Sequence, residues 1–423
     1  MKKIMLIDPG KVSESWYTVR EMPSLALGCI GTYLKLVGHE VKIIDMATYK
    51  IDNERLKNEV AKFKPHIVGI TSATFNIYSA YEAAQAVKQM DKNIFVVLGG
   101  AHATALPELT LKECPSIDTV VVGEGEIAME KLCNNPRKGI MKEALIQNLD
   151  DLPRVDWTMF NYSKYKKLYS IRFNKELHKY TISMVRGCPF QCRFCFKLFP
   201  DPARSRTPEH VFSEIVYNYE NLGARLFYLA DSTALVYKKN IQKLCQLIIN
   251  SGIDIALIVQ SRADTVDRKS VELLKQAGCE TFFIGVESGN DEMLKRIGKN
   301  ITKDKVRNAV KIVHEVGISR IRCSFIIGLE GDTRKTIRET IDFAKELKNS
   351  GLNRASVHCL DIYPKTEYWN MVERSEGNLK LKSELHDWSV LSRLNPMTSC
   401  GDITIEELKK LRDEGKEPFQ EEY

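Results

Sequence analysis

The sequence lacks the features that would place a protein in a membrane or on a nucleic acid. Its 423 residues include no run that approaches the roughly 18 consecutive apolar residues of a membrane-spanning helix. The net charge of +7 is mild and spread out, and no basic block is interleaved with aromatic residues. We therefore expect neither a membrane nor a nucleic acid as a partner, and we expect a monomer.

Paired cysteines are missing from most of the chain. The first residues, MKKIMLIDPG, have an apolar run of only about five residues before Asp8 and Pro9, which is too short for a secretory signal. The 11 cysteines therefore indicate a reducing, cytoplasmic compartment and not a disulfide framework. The proportions of hydrophobic residues (43%) and charged residues (28%) are typical of a globular chain with two to three domains.

One segment is an exception to this scarcity of paired cysteines. The segment RGCPFQCRFCF, residues 186–196, holds Cys188, Cys192 and Cys195 with the spacing C-x3-C-x2-C. Three thiolates on one loop can bind three irons of a [4Fe–4S] cluster and leave the fourth iron open, whereas clusters that only carry electrons normally have four cysteine ligands. A structural zinc site with a distant histidine, or a chance grouping of reduced cysteines, remains an alternative.

The apolar run YTISMV, residues 180–185, comes directly before this loop and predicts a buried strand. A strand followed by C-x3-C-x2-C resembles the signature of the radical S-adenosylmethionine (SAM) enzymes. The resemblance implies that the open iron binds the amino and carboxylate groups of SAM. It also implies that an electron, supplied by an external donor, cleaves SAM to a 5′-deoxyadenosyl radical.

Short β-rich runs alternate with helical patterns in residues 1 to about 130. Such apolar strands between helices predict a doubly wound parallel sheet with helices on both faces. Ligands of these sheets bind beyond the carboxyl ends of the strands. The predicted strands are residues 3–8, 41–46, 66–71, 94–99 and 119–123.

Small and polar residues follow the last three of these strands. Glycines there allow a bulky ligand to approach the backbone closely. The set resembles the cobalamin-binding domain found ahead of many radical SAM barrels, which implies a flavodoxin- or Rossmann-like cobalamin domain over residues 1–133. The candidate cofactor-binding residues are Ser72, Thr74, Gly99, Gly100, Ala101, His102, Gly123 and Glu124.

The D-x-H-x-x-G motif, whose histidine binds cobalt from below in other cobalamin proteins, is absent from the sequence. The resemblance then implies cobalamin bound without that histidine. We expect His102 to hydrogen-bond the cofactor or a neighbouring carbonyl, with cobalt ligation as the lesser alternative. A flavodoxin-like domain that binds another ligand, or none, is a further alternative.

After a predicted linker at residues 134–178, the strand–helix alternation restarts. Six βα units predict a (β/α)6 partial TIM barrel over residues 179–364, with its functional groups at the carboxyl ends of the strands. The predicted strands are residues 180–186, 225–230, 254–260, 281–286, 320–327 and 355–362.

The resemblance assigns SAM-binding roles to residues at these strand ends. Asp231 would face the methionine amino group, Arg262 the carboxylate, and Glu287 the ribose hydroxyls. An internal salt bridge is the alternative for Arg262 and Glu287. The sequence departs from the family pattern at Ser232 and Glu330, where a second acidic residue and a proline are usual. The full candidate set is Ala230, Asp231, Gln260, Arg262, Glu287, Ser288, Ile327 and Gly328.

Residues 365–423 are too few for a separate large domain and predict a C-terminal cap that touches substrate. Aromatic packing is the alternative for its rings. The candidate substrate contacts are Tyr363, Trp388, Asn395 and residues 397–400.

Taken together, the resemblance implies a cobalamin-dependent radical SAM methyltransferase. The radical would remove a hydrogen from an unactivated carbon, which would then receive a methyl group from methylcobalamin. The substrate would be a small molecule or a protein or peptide side chain. A cobalamin-dependent radical cyclase or rearrangement enzyme is the enzymatic alternative. The second alternative is a non-enzymatic module that senses cobalamin or redox state.

Overall fold

The computed structural model of the protein describes residues 1–10, 20–199, 202–390 and 396–419. The chain divides into two compact units, Met1–Leu168 and Tyr169–Tyr423, and each is described by itself. Within the described ranges, every helix is too short or too polar to cross a membrane.

The first unit is built on a six-stranded parallel sheet in the order β2-β1-β3-β4-β5-β6. Its strands are β1 (Lys3–Asp8), β2 (Glu40–Asp45), β3 (Ile67–Ser72), β4 (Phe95–Gly100), β5 (Thr119–Val122) and β6 (Gly139–Lys142). Its helices are α1 (Leu25–Leu36), α2 (Met46–Tyr49), α3 (Asn53–Phe63), α4 (Ile77–Met90), α5 (Ala101–Ala105), α6 (Pro107–Glu113) and α7 (Glu126–Asn134).

Burial and capping explain why these residues form these elements. Ile4 to Ile7 of β1 are at most 1% exposed, because helices cover both faces of the sheet. The side chains of Ser24 and Asp52 cap α1 and α3.

The strand order reverses between β1 and β3, and such a reversal opens a ligand crevice beyond the strand ends. The predicted doubly wound fold is confirmed.

The sixth strand and the segment after it belong to the first unit, although they lie within the predicted linker. Val155 packs on α1 so closely that a Cβ on Gly28 would lie 2.7 Å from its Cγ1. Trp157 is 1% exposed, and Tyr165 Oη donates to Asp45 Oδ2 at 2.9 Å. This part of the predicted linker is therefore docked on the first unit, against α1 and the end of β2.

The second unit is built on a six-stranded parallel sheet in the order β16-β15-β14-β13-β12-β9. The chain order of strands is β7 (Leu168–Ser170), β8 (Lys175–Leu177), β9 (Lys179–Ile182), β10 (Val185–Arg186), β11 (Arg204–Ser205), β12 (Leu226–Leu229), β13 (Ala256–Arg262), β14 (Cys279–Glu287), β15 (Arg320–Ile327), β16 (Arg354–Cys359), β17 (Leu379–Leu381) and β18 (Thr398–Cys400). The small pairs β7/β8, β10/β11 and β17/β18 lie outside the main sheet.

Helices separate the strands of this sheet, and the predicted partial barrel is confirmed. Gly223 and Gly252 end two of the helices in the left-handed conformation that glycine favours, at φ 65° and 69°. The helices are α8 (Pro208–Leu222), α9 (Lys238–Ser251), α10 (Arg268–Gln276), α11 (Asp291–Arg296), α12 (Lys303–Glu315), α13 (Arg334–Lys348), α14 (Glu367–Glu373) and α15 (Ile405–Lys416).

The C-terminal helix α15 joins the helix layer of the barrel. A Cβ on Gly415 would lie 3.0 Å from Val357 of β16 and 3.4 Å from Ile341 of α13. On the solvent side, Arg334 Nε and Nη2 donate to Glu407 at 2.6 and 2.8 Å. The charged tail thus covers the edge strand β16 with its small and apolar face.

Candidate functional site

Glycines at the carboxyl edge of the first unit's sheet leave its backbone open. Gly100 has φ 98°, and a Cβ there would lie only 2.3 Å from Ser72 O, so this position requires glycine. Among the described residues other than chain neighbours, Gly123, at φ 88°, has no atom within 4 Å of where a Cβ would be, and Gly99 has only a carbonyl oxygen at 3.9 Å. A bulky cofactor can therefore approach the main chain at this edge.

The other candidate residues of this edge lie deeper in the first unit. Ser72 Oγ donates to Gly99 O at 3.0 Å and joins the ends of β3 and β4. Thr74 is buried, and His102 is fully buried in α5, which begins at the half-buried Ala101. Glu124 Oε2 accepts from Ile146 N at 2.7 Å. The glycines fit a cobalamin site, whereas His102 and Glu124 lie inside the unit.

In the second unit, the three cysteines lie near one another on the loop after β10. Cys188 and Cys192 are half-buried and Cys195 is exposed. Desolvation of its thiol raises the pKa of Cys195, and the neighbouring thiols of Cys192 and Cys188 raise it further. Burial also raises the pKa of the Cys192 thiol, while nearby Lys299 and Arg262 lower it. The thiols thus form one group with positive charge beside it, which suits an anionic cluster.

The same geometry does not favour a site for a single zinc ion. Among the described residues, no three side chains of His, Cys, Asp or Glu stand together as ligands of one ion. A [4Fe–4S] cluster makes no such demand, because each cysteine binds a different iron. The residues present therefore fit the cluster better than the zinc alternative.

Arg262 lies against the cysteine loop. Its Nη1 donates to Cys192 Sγ at 3.5 Å, and its guanidinium carbon lies 3.8 Å from the centroid of the Phe190 ring. Its Nη2 donates to Lys299 O at 2.6 Å, and its Nε donates to Asp264 Oδ1 at 3.0 Å. The arginine predicted to bind the SAM carboxylate thus already pairs with Asp264.

Glu287 is a buried carboxylate in an unusual backbone conformation. Its Oε1 lies 2.7 Å from Lys299 Nζ, and the two side chains are 10% and 4% exposed. Its φ of 74° is left-handed, which is rare outside glycine and is often found at functional sites. The β14/β15 register shifts between Gly285 and Glu287. The main chain therefore turns to aim this carboxylate.

Lys299 is a site residue that the sequence patterns did not single out. It follows α11 and pairs with Glu287, while its carbonyl accepts from Arg262. Arg262 and Glu287 thus both form ion pairs, as the salt-bridge alternative expected, but each with a third residue and not with the other. Nothing in the local pattern RIGKN separates this lysine from a solvent-exposed one.

Asp231 lies under the entry to the cysteine loop. Its Oδ1 accepts from Met184 N at 2.8 Å, Val185 N at 2.9 Å and Ser183 Oγ at 3.2 Å. The residue is fully buried, and burial raises its pKa to about 6. Its Oδ2 has no hydrogen-bond partner among the described residues. Asp231 therefore holds the strand before the loop, while its role toward SAM stays a prediction.

The remaining candidates divide between the barrel interior and the helix layer. Gln260 accepts from Tyr228 Oη at 3.0 Å and donates to Asp231 O at 2.8 Å, on the interior side. Ser288 Oγ lies 3.2 Å from Thr340 Oγ1 of α13 and accepts from Asn290 N. Three other candidates belong to strand packing: Ala230, whose N donates to Ile182 O; the fully buried Ile327; and Gly328, beside Leu408.

The aromatic candidate Trp388 packs on another ring of the C-terminal region. Trp388 is 2% exposed and stacks on Trp369, with ring centroids 5.6 Å apart and planes 19° apart. Met397 and Cys400 are also buried, Tyr363 is half-buried, and Asn395 lies outside the described residues. The packing alternative accounts for Trp388, and substrate contact by this region stays a prediction.

Two family models match the chain, one on each unit. The B12 binding domain matches residues 18–133, and the radical SAM superfamily matches residues 182–344. The chain is 31% identical to an uncharacterized methyltransferase of Pyrococcus horikoshii, over 97% of this chain and 90% of that protein. It is 28% identical to an anaerobic magnesium-protoporphyrin IX monomethyl ester cyclase of Rubrivivax gelatinosus, over 81% of this chain and 66% of that protein.

A solved structure shares the fold of both units. The cobalamin-dependent S-adenosylmethionine radical enzyme OxsB, with aqua-cobalamin and S-adenosylmethionine bound, superposes with a TM-score of 0.75 at 18% identity. The superposition covers 98% of this chain and 66% of that one. By its matched domains and its full-length relative, the chain belongs to the cobalamin-dependent radical SAM enzymes, whose cofactors are a [4Fe–4S] cluster, S-adenosylmethionine and cobalamin.

Proposed function

We propose that this enzyme transfers a methyl group to an unactivated carbon of its substrate. The observation that carries the proposal is the match over 97% of the chain to a relative whose name is that of a methyltransferase. The glycine-lined edge of the first unit and the cysteine loop of the second support it, since they fit a methyl carrier and a radical source. When bound, these cofactors supply hydrogen-atom removal and methyl donation.

The residues of the second unit have separate tasks in this proposal. Cys188, Cys192 and Cys195 would hold the cluster. Arg262 and Lys299 place positive charge beside Cys192, which offsets the negative charge of thiolates. This arrangement favours an anionic group next to the cysteine loop.

Glu287 would orient SAM. A buried carboxylate can accept hydrogen bonds from two ribose hydroxyls, and the left-handed main chain at φ 74° fixes its direction. Lys299 is the partner of this carboxylate, and their ion pair offsets part of the cost of removing both groups from water.

In the first unit, the open backbone at Gly99 and Gly123 would accept cobalamin. Gly100, between them in sequence, is closed by the main chain of Ser72, and no side chain fits there. The part of the cofactor that lies there would be held by main-chain groups and by shape more than by charge.

A ring-forming or rearranging reaction without methyl transfer is the second candidate. The similarity to a cyclase, 28% identity over 81% of the chain, favours it specifically. Both candidates require SAM cleavage, so cleavage alone does not separate them.

The test uses the reconstituted, reduced protein with cobalamin and SAM labelled in its methyl group. A small-molecule extract and a protein extract serve as separate substrate sources, because the substrate is proposed to be either a small molecule or a protein or peptide side chain. Label in a new carbon–methyl bond supports methyl transfer, and a converted substrate without label favours the cyclase. Failure to form 5′-deoxyadenosine would favour the sensing module.

A further inference from the structure

Arg193 lies between two of the three cysteines of the loop, and both its main chain and its side chain bind other segments. Its N donates to Ile297 O at 3.0 Å, and its O accepts from Glu367 N at 3.2 Å. Its Nη1 donates to Arg296 O at 3.2 Å, and its Nη2 donates to the carboxylate of Glu367. One residue of the cysteine loop is thus tied to two segments that lie 103 and 174 residues further along the chain.

These contacts fall on a turn that connects two of the candidate cluster ligands. Cys195 N donates to Cys192 O at 3.1 Å, which closes a four-residue turn with Arg193 and Phe194 at its centre. The geometry of such a turn sets the separation and the direction of the residues at its ends. A contact that fixes Arg193 therefore also fixes Cys192 and Cys195 relative to the barrel.

The cysteine loop has no regular structure to hold this turn in place. Its described residues, 187–199, form neither helix nor strand. The shape of the loop therefore depends on contacts with the rest of the second unit. Arg262 supplies such contacts at Phe190 and Cys192, and Arg193 supplies them at the turn.

The two segments that bind Arg193 are themselves firmly packed. Glu367 is the first residue of α14, and the next two residues, Tyr368 and Trp369, are 0% and 2% exposed. In the other segment, a Cβ on Gly298 would lie 2.6 Å from Gln191 O, so the main chain packs directly on the cysteine loop. Both segments can therefore serve as fixed supports for the turn.

We propose that Arg193 is a positioning residue for the cluster, which acts by clamping the Cys192–Cys195 turn to Glu367 and to the main chain of residues 296–297. A misplacement of about 1 Å can cost roughly a hundredfold in the rate of a reaction, so the cluster must be held precisely where it meets SAM. The inference goes beyond the transferred group, because methyl transfer and ring formation both begin with SAM cleavage.

The first measurement is the rate at which a chelator removes iron from the reconstituted holoenzyme, without SAM. Iron becomes accessible when the turn opens, and loss of a partly exposed ion pair raises an open population by up to about fivefold. We expect Arg193→Gln and Glu367→Gln each to lose iron about fivefold faster than native protein. The double variant should lose it no faster than Arg193→Gln, because the two residues act as one pair.

A matched control shows whether the effect belongs to this ion pair. Arg374→Gln removes another exposed arginine of the C-terminal region, which pairs with Glu376. It should lose iron at the native rate. The free energy of unfolding of the second unit should be unchanged in all these variants, since the Arg193 and Glu367 side chains are 30% and 47% exposed.

The second measurement separates positioning from a purely structural role. The electron paramagnetic resonance spectrum of the reduced cluster is recorded with and without SAM, because a ligand that binds the open iron changes this spectrum. With SAM, we expect broader lines in Arg193→Gln than in native protein, since the cluster then takes a range of positions. Arg193→Lys should recover part of the native line shape, because lysine keeps the charge but lacks the planar fork that binds both Arg296 O and Glu367.

Four results would overturn the inference. They are equal iron loss in native protein and the single variants, effects that multiply in the double variant, identical spectra with SAM in native protein and Arg193→Gln, and a lower unfolding midpoint that accounts for the iron loss. Glu367→Gln changes no residue of the cysteine loop, so it decides the test even if Arg193→Gln takes up no cluster. Neither measurement requires a substrate, so both are independent of whether a methyl group is transferred.

Discussion

Replacement of Lys299 by methionine tests how the buried carboxylate of Glu287 is stabilised. The two side chains are 4% and 10% exposed, so the variant leaves Glu287 buried without its cation. Removing one partner of a buried ion pair costs about 3–5 kcal/mol. The cost has an upper limit, because the variant can instead bind a proton on this carboxyl. For an ordinary glutamate, with a pKa of about 4.3, binding a proton at pH 7 costs roughly 3.7 kcal/mol. We expect a loss of about 3–4 kcal/mol at pH 7.

The loss should depend on pH, because the variant can relieve its buried charge by binding a proton. In the folded variant, burial without a cation favours the neutral carboxyl, whereas in the unfolded chain the same group is in water. The folded variant then holds a proton that the unfolded chain releases, so its stability increases as the pH falls toward about 4. At pH 5 protonation costs only about 1 kcal/mol, and the loss should shrink to a similar size.

Urea unfolding of the second unit at pH 7 and pH 5 measures both quantities. The control is Lys295→Met, which removes an exposed lysine from α11 four residues earlier. A double variant, Lys299→Met with Glu287→Gln, should recover part of the loss, because no charge remains to be buried. Equal unfolding midpoints for Lys299→Met and Lys295→Met at pH 7 would refute the reasoning, as would a loss that does not shrink at pH 5.

Three further experiments test other parts of the site. Gly100→Ala should destabilise the first unit by more than Gly123→Ala, as measured by urea unfolding. A side chain at either position costs about 1–2 kcal/mol because φ is positive. Only the new Cβ at residue 100 would also lie 2.3 Å from another atom, Ser72 O. Cys188→Ala should lower the iron content and visible absorbance of the reconstituted protein, whereas Cys29→Ala should not. Burial raises the pKa of Asp231 to about 6 in the folded protein. The free energy of unfolding should therefore fall by roughly 3 kcal/mol as the pH rises from about 4 to 6. The variant Asp231→Asn should lack this pH dependence when unfolding is measured across that range.

The fold was predictable because its main strands are buried on both sides. Runs such as Lys3–Asp8 and Ile67–Ser72 are buried at five of their six positions and stand between amphipathic helices. The sixth strand, Gly139–Lys142, escaped prediction because it is a short edge strand in which only Met141 is buried. The segment around Trp157 is predicted as an extended, docked linker. The element on which it docks, α1, could not be predicted, since no local periodicity marks the contact.

The cysteine loop was predictable because its three thiols lie within eight residues of sequence, whereas its surroundings come from distant segments. Arg262 and Glu287 were placed at the site because parallel strands bring their ends together. Their partners, Asp264 and Lys299, could not be assigned, since pairing depends on side-chain direction. The contacts of Asp231 could not be assigned for the same reason, since its carboxylate turns toward the amides of Met184 and Val185, just before the cysteine loop.

The segment from Arg296 to Lys299 shows how one stretch without a recognisable motif can organise the barrel mouth. Ile297 O accepts from Arg193 N of the cysteine loop at 3.0 Å, and a Cβ on Gly298 would lie 2.6 Å from Gln191 O. The next residue, Lys299, pairs with Glu287.

Arg296, at the other end of the segment, explains a departure from the family pattern. Its Nε and Nη2 donate to Glu330 at 2.7 and 2.6 Å, in the turn where the family usually has a proline. A Cβ on Gly331 would lie 2.4 Å from Arg296 Nε, so the arginine also covers the next residue of that turn. The ion pair links the turn after β15 to the segment that contacts the cysteine loop. The glutamate thus has a structural partner of its own, and the departure from the family pattern does not alter the barrel, which the order of the strands establishes.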